Sequence, residues 1–143
     1  MAIRQVSVFV ENKQGALADV LHTLSAAGIG LRALSIADTS DFGILRIITD
    51  DNTKAAFALS EHGYICSATE VVAACADDKP GGLAALLSTL SEAGVDVEYV
   101  YAFVAQQKQH AWVVLRVHDN GAAEQVLRNA GITLLSESDV ASI

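Results

Sequence analysis

The chain has 143 residues, 52% hydrophobic and 18% charged, which is enough apolar material for a core and too little polarity for a disordered chain. Nine Lys and Arg stand against seventeen Asp and Glu, a formal net charge of −8, so the basic stripe needed by a nucleic-acid or anionic-membrane surface is not expected. Cys66 and Cys75 form no CxxC and read as small buried hydrophobes in a reducing cytoplasm. The opening MAIRQVSVFVENKQG has too short an apolar run for a signal peptide, and no stretch approaches the ~20 apolar residues of a membrane span.

Gln5 to Val10 alternates, with Val6, Val8 and Val10 on one face and Ser7 and Phe9 on the other, which predicts a strand. Leu17, Val20, Leu21 and Leu24 then recur at helical spacing, and Ala27-Gly28 supplies a helix stop. Leu31 to Asp38 and Gly43 to Thr49 read as strands around a turn at Thr39 to Asp41. Asn52 to Glu61 reads as an Ala-rich helix closed by His62-Gly63, with a strand from Tyr64. The second half predicts strand Val71 to Ala76, helix Gly81 to Ala93, strands Val95 to Val104 and Ala111 to His118, helix Ala122 to Ala130, and a strand from Ile132.

The two halves are copies. ENKQGALADVLHTLSAAGIGL, Glu11 to Leu31, aligns with DDKPGGLAALLSTLSEAGVDV, Asp77 to Val97, at an offset of 66. ILRI at Ile44 to Ile47 matches VLRV at Val114 to Val117 at an offset of 70, which puts about four extra residues near Gln106 to Gln109. Gly63 matches Gly131 at an offset of 68. Each copy reads β-α-β-β-α-β. The predicted class is therefore α+β, with two ferredoxin-like units, 1–70 and 71–143, whose antiparallel sheets pack together. Right-handed crossovers put both helices of a unit on one sheet face. The opposite face is not very polar: if Val72, Ala74 and Ala76 face the helices, Ala73 and Cys75 face away, and Tyr99, Tyr101 and Phe103 share a face. Half-apolar faces and free edges call for partners, so paired sheets and a homodimer are expected.

After its first strand each unit runs x-x-Lys-x-Gly-x-Leu. Two readings fit. Asn12 or Asp78 caps the helix, with Pro80 in its first turn. Alternatively the helix mouth, with its unsatisfied N–H groups and partial positive charge, receives a carboxylate or phosphate. Asn12 has both donor and acceptor and suits an amino acid, whereas ionised Asp78 only accepts and repels a carboxylate.

The βαββαβ repeat, the segments ENKQGALADVL and DDKPGGLAALL, the glycine turns AAGIGL and EAGVDV, and the stretches ALSIADTSDFGILRI and VEYVYAF together resemble a tandem ACT-domain protein. The resemblance implies a regulatory module that binds a free amino acid where the first loop of one unit meets the second strand of a neighbour. It implies ligand loops at Asn12, Lys13, Gln14, Gly15, Ala16 and Leu17 and at Asp78, Lys79, Pro80, Gly81, Gly82 and Leu83. The facing strand residues would be Ser35, Ile36, Ala37 and Asp38, with Tyr99 and Tyr101 in unit two. Gln14 stands where the family usually has proline. Gly30 and Asp96, with Val10 and Ala76, depart from the asparagine and histidine of a serine-binding subgroup.

His22, His62, His110 and His118 have no metal-ligand spacing, and Asp38 to Asp41 has the composition of a turn. Arg46 and Arg116, equivalent mid-strand arginines, are expected to pair with carboxylates across the unit interface, and Trp112 to anchor a core. No nucleophile–base motif, metal spacing or GxGxxG is present, nor an acylphosphatase-type arginine loop. The expectation is therefore a non-enzyme without metal or cofactor, whose effector is a free amino acid and whose output passes to a metabolic enzyme. The alternative is a structural interaction module without a ligand.

Overall fold

A computed structural model describes residues 2–38, 40–104 and 110–143. Thr39 of the expected turn and the extra residues near Gln106 to Gln109 lie outside the described residues. The elements are β1 (Ile3–Glu11), α1 (Ala16–Ala26), β2 (Leu31–Asp38), β3 (Phe42–Thr49), α2 (Asn52–Glu61), β4 (Cys66–Asp77), α3 (Gly82–Glu92), β5 (Val97–Ala102), β6 (His110–Val117), α4 (Asn120–Asn129), β7 (Leu134–Leu135) and α5 (Glu137–Ser142). The class is α+β, and two βαββαβ repeats share one curled antiparallel sheet, ordered β2-β3-β1-β4-β6-β5 with β7 also on β4.

β4 is the structural hinge of the repeat. Two strands were expected around Val71, but Cys66–Asp77 is one strand of 12 residues. Its first half pairs with β1, from Val8↔Cys66 to Ile3↔Val71. Its second half pairs with β6 and β7, from Val72↔Leu115 to Asp77↔His110 and at Ala73↔Leu135. The run CSATEVVAACAD has no Gly or Pro to break it, so pairing carries straight across the repeat junction.

Alternation along the strands sorts the core into three parts. Val6, Val8 and Val10 face α1 and α2 with Val20, Leu24 and Leu59, and Val72, Ala74 and Ala76 face α3 and α4 with Leu86, Leu90 and Leu127. The opposite faces of the two units meet in a third cluster of Ile3, Ala33, Ile48, Val71, Ala73, Tyr101, Phe103 and Val114. The expected sheet pairing is therefore present, and Trp112 packs partly buried against it. The sheet curls far enough that its two edge strands meet. Ala33 bridges Phe103, and the Val104 N–H donates to the Arg32 carbonyl at 2.8 Å.

Polar groups inside this central core are matched. Gln5 is fully buried; its Oε1 accepts from Tyr101 Oη at 2.7 Å, and its Nε2 donates to Tyr99 Oη at 3.0 Å and Ser7 Oγ at 3.1 Å. The Arg46 guanidinium lies 3.9 Å from the Tyr99 ring centroid, a cation–π contact across the units in place of the expected carboxylate. Arg116 does meet a carboxylate, but Glu98 belongs to the adjacent strand of its own unit, at 3.3 Å, and Arg116 Nη1 also donates to the Glu70 carbonyl.

Two further expectations change at the C-terminus. The last strand is only Leu134–Leu135, and α5 follows it, begun by a Ser136–Asp139 capping box. α5 clasps unit one. The Glu137 carboxylate accepts from the Arg4 N–H at 2.6 Å, Arg32 donates to the Val140 and Ala141 carbonyls, and Val140 is buried in the central cluster.

Candidate functional site

The mouths of α1 and α3 differ from the capping expectation. Neither Asn12 nor Asp78 is the N-cap. Gly15 and Gly81 hold that position at φ 82° and 86°, left-handed conformations that glycine takes without steric penalty, and neither helix has a side-chain cap. α2 and α4, by contrast, are capped by Asp51 and Asp119 in extended conformation. Pro80 lies outside α3, before its cap. The Asn12 side chain instead donates to the Ser40 carbonyl at 3.2 Å, and its N–H to the Asp41 carbonyl, which ties the loop to the β2–β3 turn. A turn from Lys13 N–H to Glu11 O, and its twin from Lys79 N–H to Asp77 O, leads the chain to each cap.

Around the mouth of unit one lie two hollows. One, of about 500 Å³, is floored by Lys13, Gln14, Gly15 and Ala16 and walled by Asp19, Tyr64, Phe9, Phe42 and Ile65. The other, of about 210 Å³, brings Asn12, Lys13 and Leu17 together with Ile36 and Gly43. Lys13 borders both and pairs with Glu11 at 3.0 Å, an exposed pair of small energetic weight. The Tyr64 hydroxyl donates to the Asp19 carboxylate. Burial first, then that hydrogen bond and the carboxylate's charge, push the Tyr64 pKa up to about 12.

Of Ser35, Ile36 and Ala37, Ile36 reaches these hollows. Ser35 and Ala37 alternate to the other face of β2, where Ser35 stands opposite Arg46 and Ala37 opposite Ile44. Asp38 ends β2 opposite Gly43. In unit two the hollow, of about 380 Å³, is lined by Gly82 with Asp77, Thr89, His110 and Thr133. Asp78, Lys79, Pro80, Gly81 and Leu83 do not line it, and Lys79 leans to Asp77 at 3.8 Å. Tyr99 and Tyr101 are held in the inter-unit core by Gln5 and do not reach that loop. Burial, then neighbouring Tyr99, raises the pKa of Tyr101, while Arg46 lowers it in part.

Gly82 lets the Asp77 carbonyl press close to the start of α3. A Cβ there would sit 1.9 Å from the Asp77 carbonyl oxygen. Its counterpart in unit one, Ala16, carries a Cβ.

Sequence reasoning missed Phe9, Asp19, Phe42, Tyr64 and Ile65. The repeat itself carried the signal. Strand register sets the third strand of the second unit at an offset of 68 rather than 70, since Phe42 pairs with Glu11 and His110 with Asp77. The five residues therefore correspond to Cys75, Ala85, His110, Ile132 and Thr133, which line the hollow of unit two, so the repeated frame holds different chemistry at each mouth. Among the described residues no cluster of three or more His, Cys, Asp or Glu is placed to hold a metal, and no helix is long and apolar enough to cross a membrane.

The family model described as an ACT domain pair matches residues 1–143. The crystal structure of protein BT0572 from Bacteroides thetaiotaomicron superposes with TM-score 0.93 at 38% identity, over 100% of this chain and 98% of that one. The ligand-free regulatory subunit of aspartate kinase from Thermus thermophilus gives 0.65 at 16% identity, over 89% and 91% of the two chains. That from Thermus flavus gives 0.60 at 17%, over 90% and 92%. The comparison with curated proteins found no match.

Proposed function

The chain belongs to the ACT-domain-pair family of regulatory modules, and from that premise we propose that it senses a free amino acid at the helix mouth of unit one. The observation that carries this reading is the uncapped start of α1, which opens onto a groove beside Lys13. First-turn N–H groups without an intrahelical acceptor, together with the helix dipole, favour a carboxylate there. Gly15 removes the Cβ that would hold a ligand away from the backbone. Unit two is the weaker site, because Asp78 stands where unit one has Asn12, and because Lys79, unlike Lys13, does not line its hollow. The protein acts without catalysis and in the cytoplasm. Its output passes through a second copy of the chain and a metabolic enzyme.

A thermal-shift screen of the full chain against the twenty amino acids tests this. Ligand at ~100 times its dissociation constant adds roughly 2.7 kcal/mol of stability. Asn12→Ala, which releases the loop from the Ser40 carbonyl, weakens binding while leaving the fold intact. No shift and no calorimetric heat with any amino acid at millimolar concentration would refute the reading. A ligand-free interaction module is the second reading, favoured by the neighbouring exposed side chains of Phe9, Phe42 and Ile65 at one end of the sheet. It predicts capture of a partner protein that is indifferent to amino acids.

A further inference from the structure

The groove of unit one combines two kinds of wall. On one side stand three large apolar side chains, Phe9, Phe42 and Ile65, which are 49%, 53% and 71% exposed. Strand pairing brings them together: the Phe9 N–H donates to the Ile65 carbonyl at 3.1 Å, and Phe42 pairs opposite Glu11, two residues along β1 from Phe9. On the other side lie the ionic groups Lys13 and Asp19, the second already accepting from Tyr64 Oη.

Resting on the sensing reading above, we propose that this groove selects an amino acid with a large apolar side chain. Asp19 takes the ammonium, Lys13 takes the carboxylate, and Phe9, Phe42 and Ile65 receive the side chain. An ionised carboxylate only accepts, and after the Tyr64 bond it retains acceptor sites for N–H donors. The Tyr64 hydroxyl fixes where that carboxylate points. Glu11 and Asp19 give the groove two acidic groups to one lysine, so a ligand with a second carboxylate meets like charge. A small or hydroxylated side chain leaves the apolar wall wet. Unit two lacks the arrangement: Cys75, Ala85, His110, Ile132 and Thr133 stand where unit one has Phe9, Asp19, Phe42, Tyr64 and Ile65. Each chain therefore has one such site.

The test is calorimetric titration of the full chain with phenylalanine, leucine, alanine, serine, aspartate and lysine. Phenylalanine or leucine is expected to bind at one per chain, at least ~10-fold tighter than alanine or serine, the range hydrophobic pockets achieve. Phe9→Ser and Ile65→Ser alter exposed side chains, and each is checked for folding by circular dichroism; each brings phenylalanine and leucine toward the alanine level. Phe57→Ser, on α2 and outside the groove, keeps the preference. Asp19→Asn weakens every amino acid that binds. Equal affinity for alanine and leucine, tighter binding of aspartate or lysine, or a preference that survives both serine variants overturns the selectivity while leaving amino-acid sensing standing. Absence of binding by all six overturns the selectivity, and absence of binding across the twenty amino acids overturns the sensing reading with it.

Discussion

Gln5 is the point at which the two units can be tested as one folded body. It comes from β1 of unit one, and its carboxamide bonds to Tyr99 and Tyr101 of unit two. Gln5→Met keeps the volume and removes the polar end. The Tyr101 hydroxyl, in a side chain 9% exposed, then loses its acceptor, a penalty of about 1–3 kcal/mol. Tyr101→Phe does the reverse and leaves Gln5 Oε1 unpaired in a fully buried side chain, at a similar penalty. In the double variant neither orphan exists. The double variant should therefore fall short of the summed single losses by ~1–2 kcal/mol, within the range for residues in one hydrogen-bond network. Urea unfolding measures this: with a slope of ~1–3 kcal/mol per molar, each single variant lowers the midpoint by roughly 1 M. Two separate transitions in the wild type would refute the shared core. Single losses below ~0.5 kcal/mol, or losses that simply add, would refute the network.

Gly82→Ala should destabilise by about 1–3 kcal/mol, the overpacking range, despite alanine's better helix propensity, because the new Cβ meets the Asp77 carbonyl. Thermal unfolding reads the sign, and a neutral or stabilised variant would mean that the turn yields. Tyr64 titrates at about 12 in the fold against ~10 unfolded, so the folded state holds its proton more tightly. Its contribution to stability is complete below pH ~10 and is lost as pH rises from there through about 12. Ultraviolet difference titration of the wild type and Tyr64→Phe isolates that step, and a Tyr64 transition near 10 would contradict the geometry. Ser136→Ala removes the cap of α5 and should cost ~0.5–2 kcal/mol. Hydrogen exchange should then rise first in the Arg4 and α5 amides, because the clasp onto unit one loosens.

The sequence alone determined the repeat, the β-α-β-β-α-β order within each unit and the inward faces, but neither the continuity of β4 nor the closing helix α5. The first three follow from local periodicity: alternation at Val6, Val8 and Val10 and helical spacing at Leu17, Val20 and Leu24 are properties of the chain's own geometry. Tertiary structure decided what those patterns could not encode. Whether Val71 begins a strand or continues one depends on partners from β1 and β6 arriving on either side of it. Tyr99 and Tyr101 fit a site or a core equally well by pattern, and only the curl of the sheet carries them to Gln5. Asn12 has the chemistry of a cap, yet the left-handed Gly15 takes that place and the Ser40 carbonyl takes its side chain. Asp19 and Tyr64 lie 45 residues apart and meet only because α1 and the start of β4 end at the same corner of the fold. Such pairings are set by how layers stack, and no window along the chain contains them.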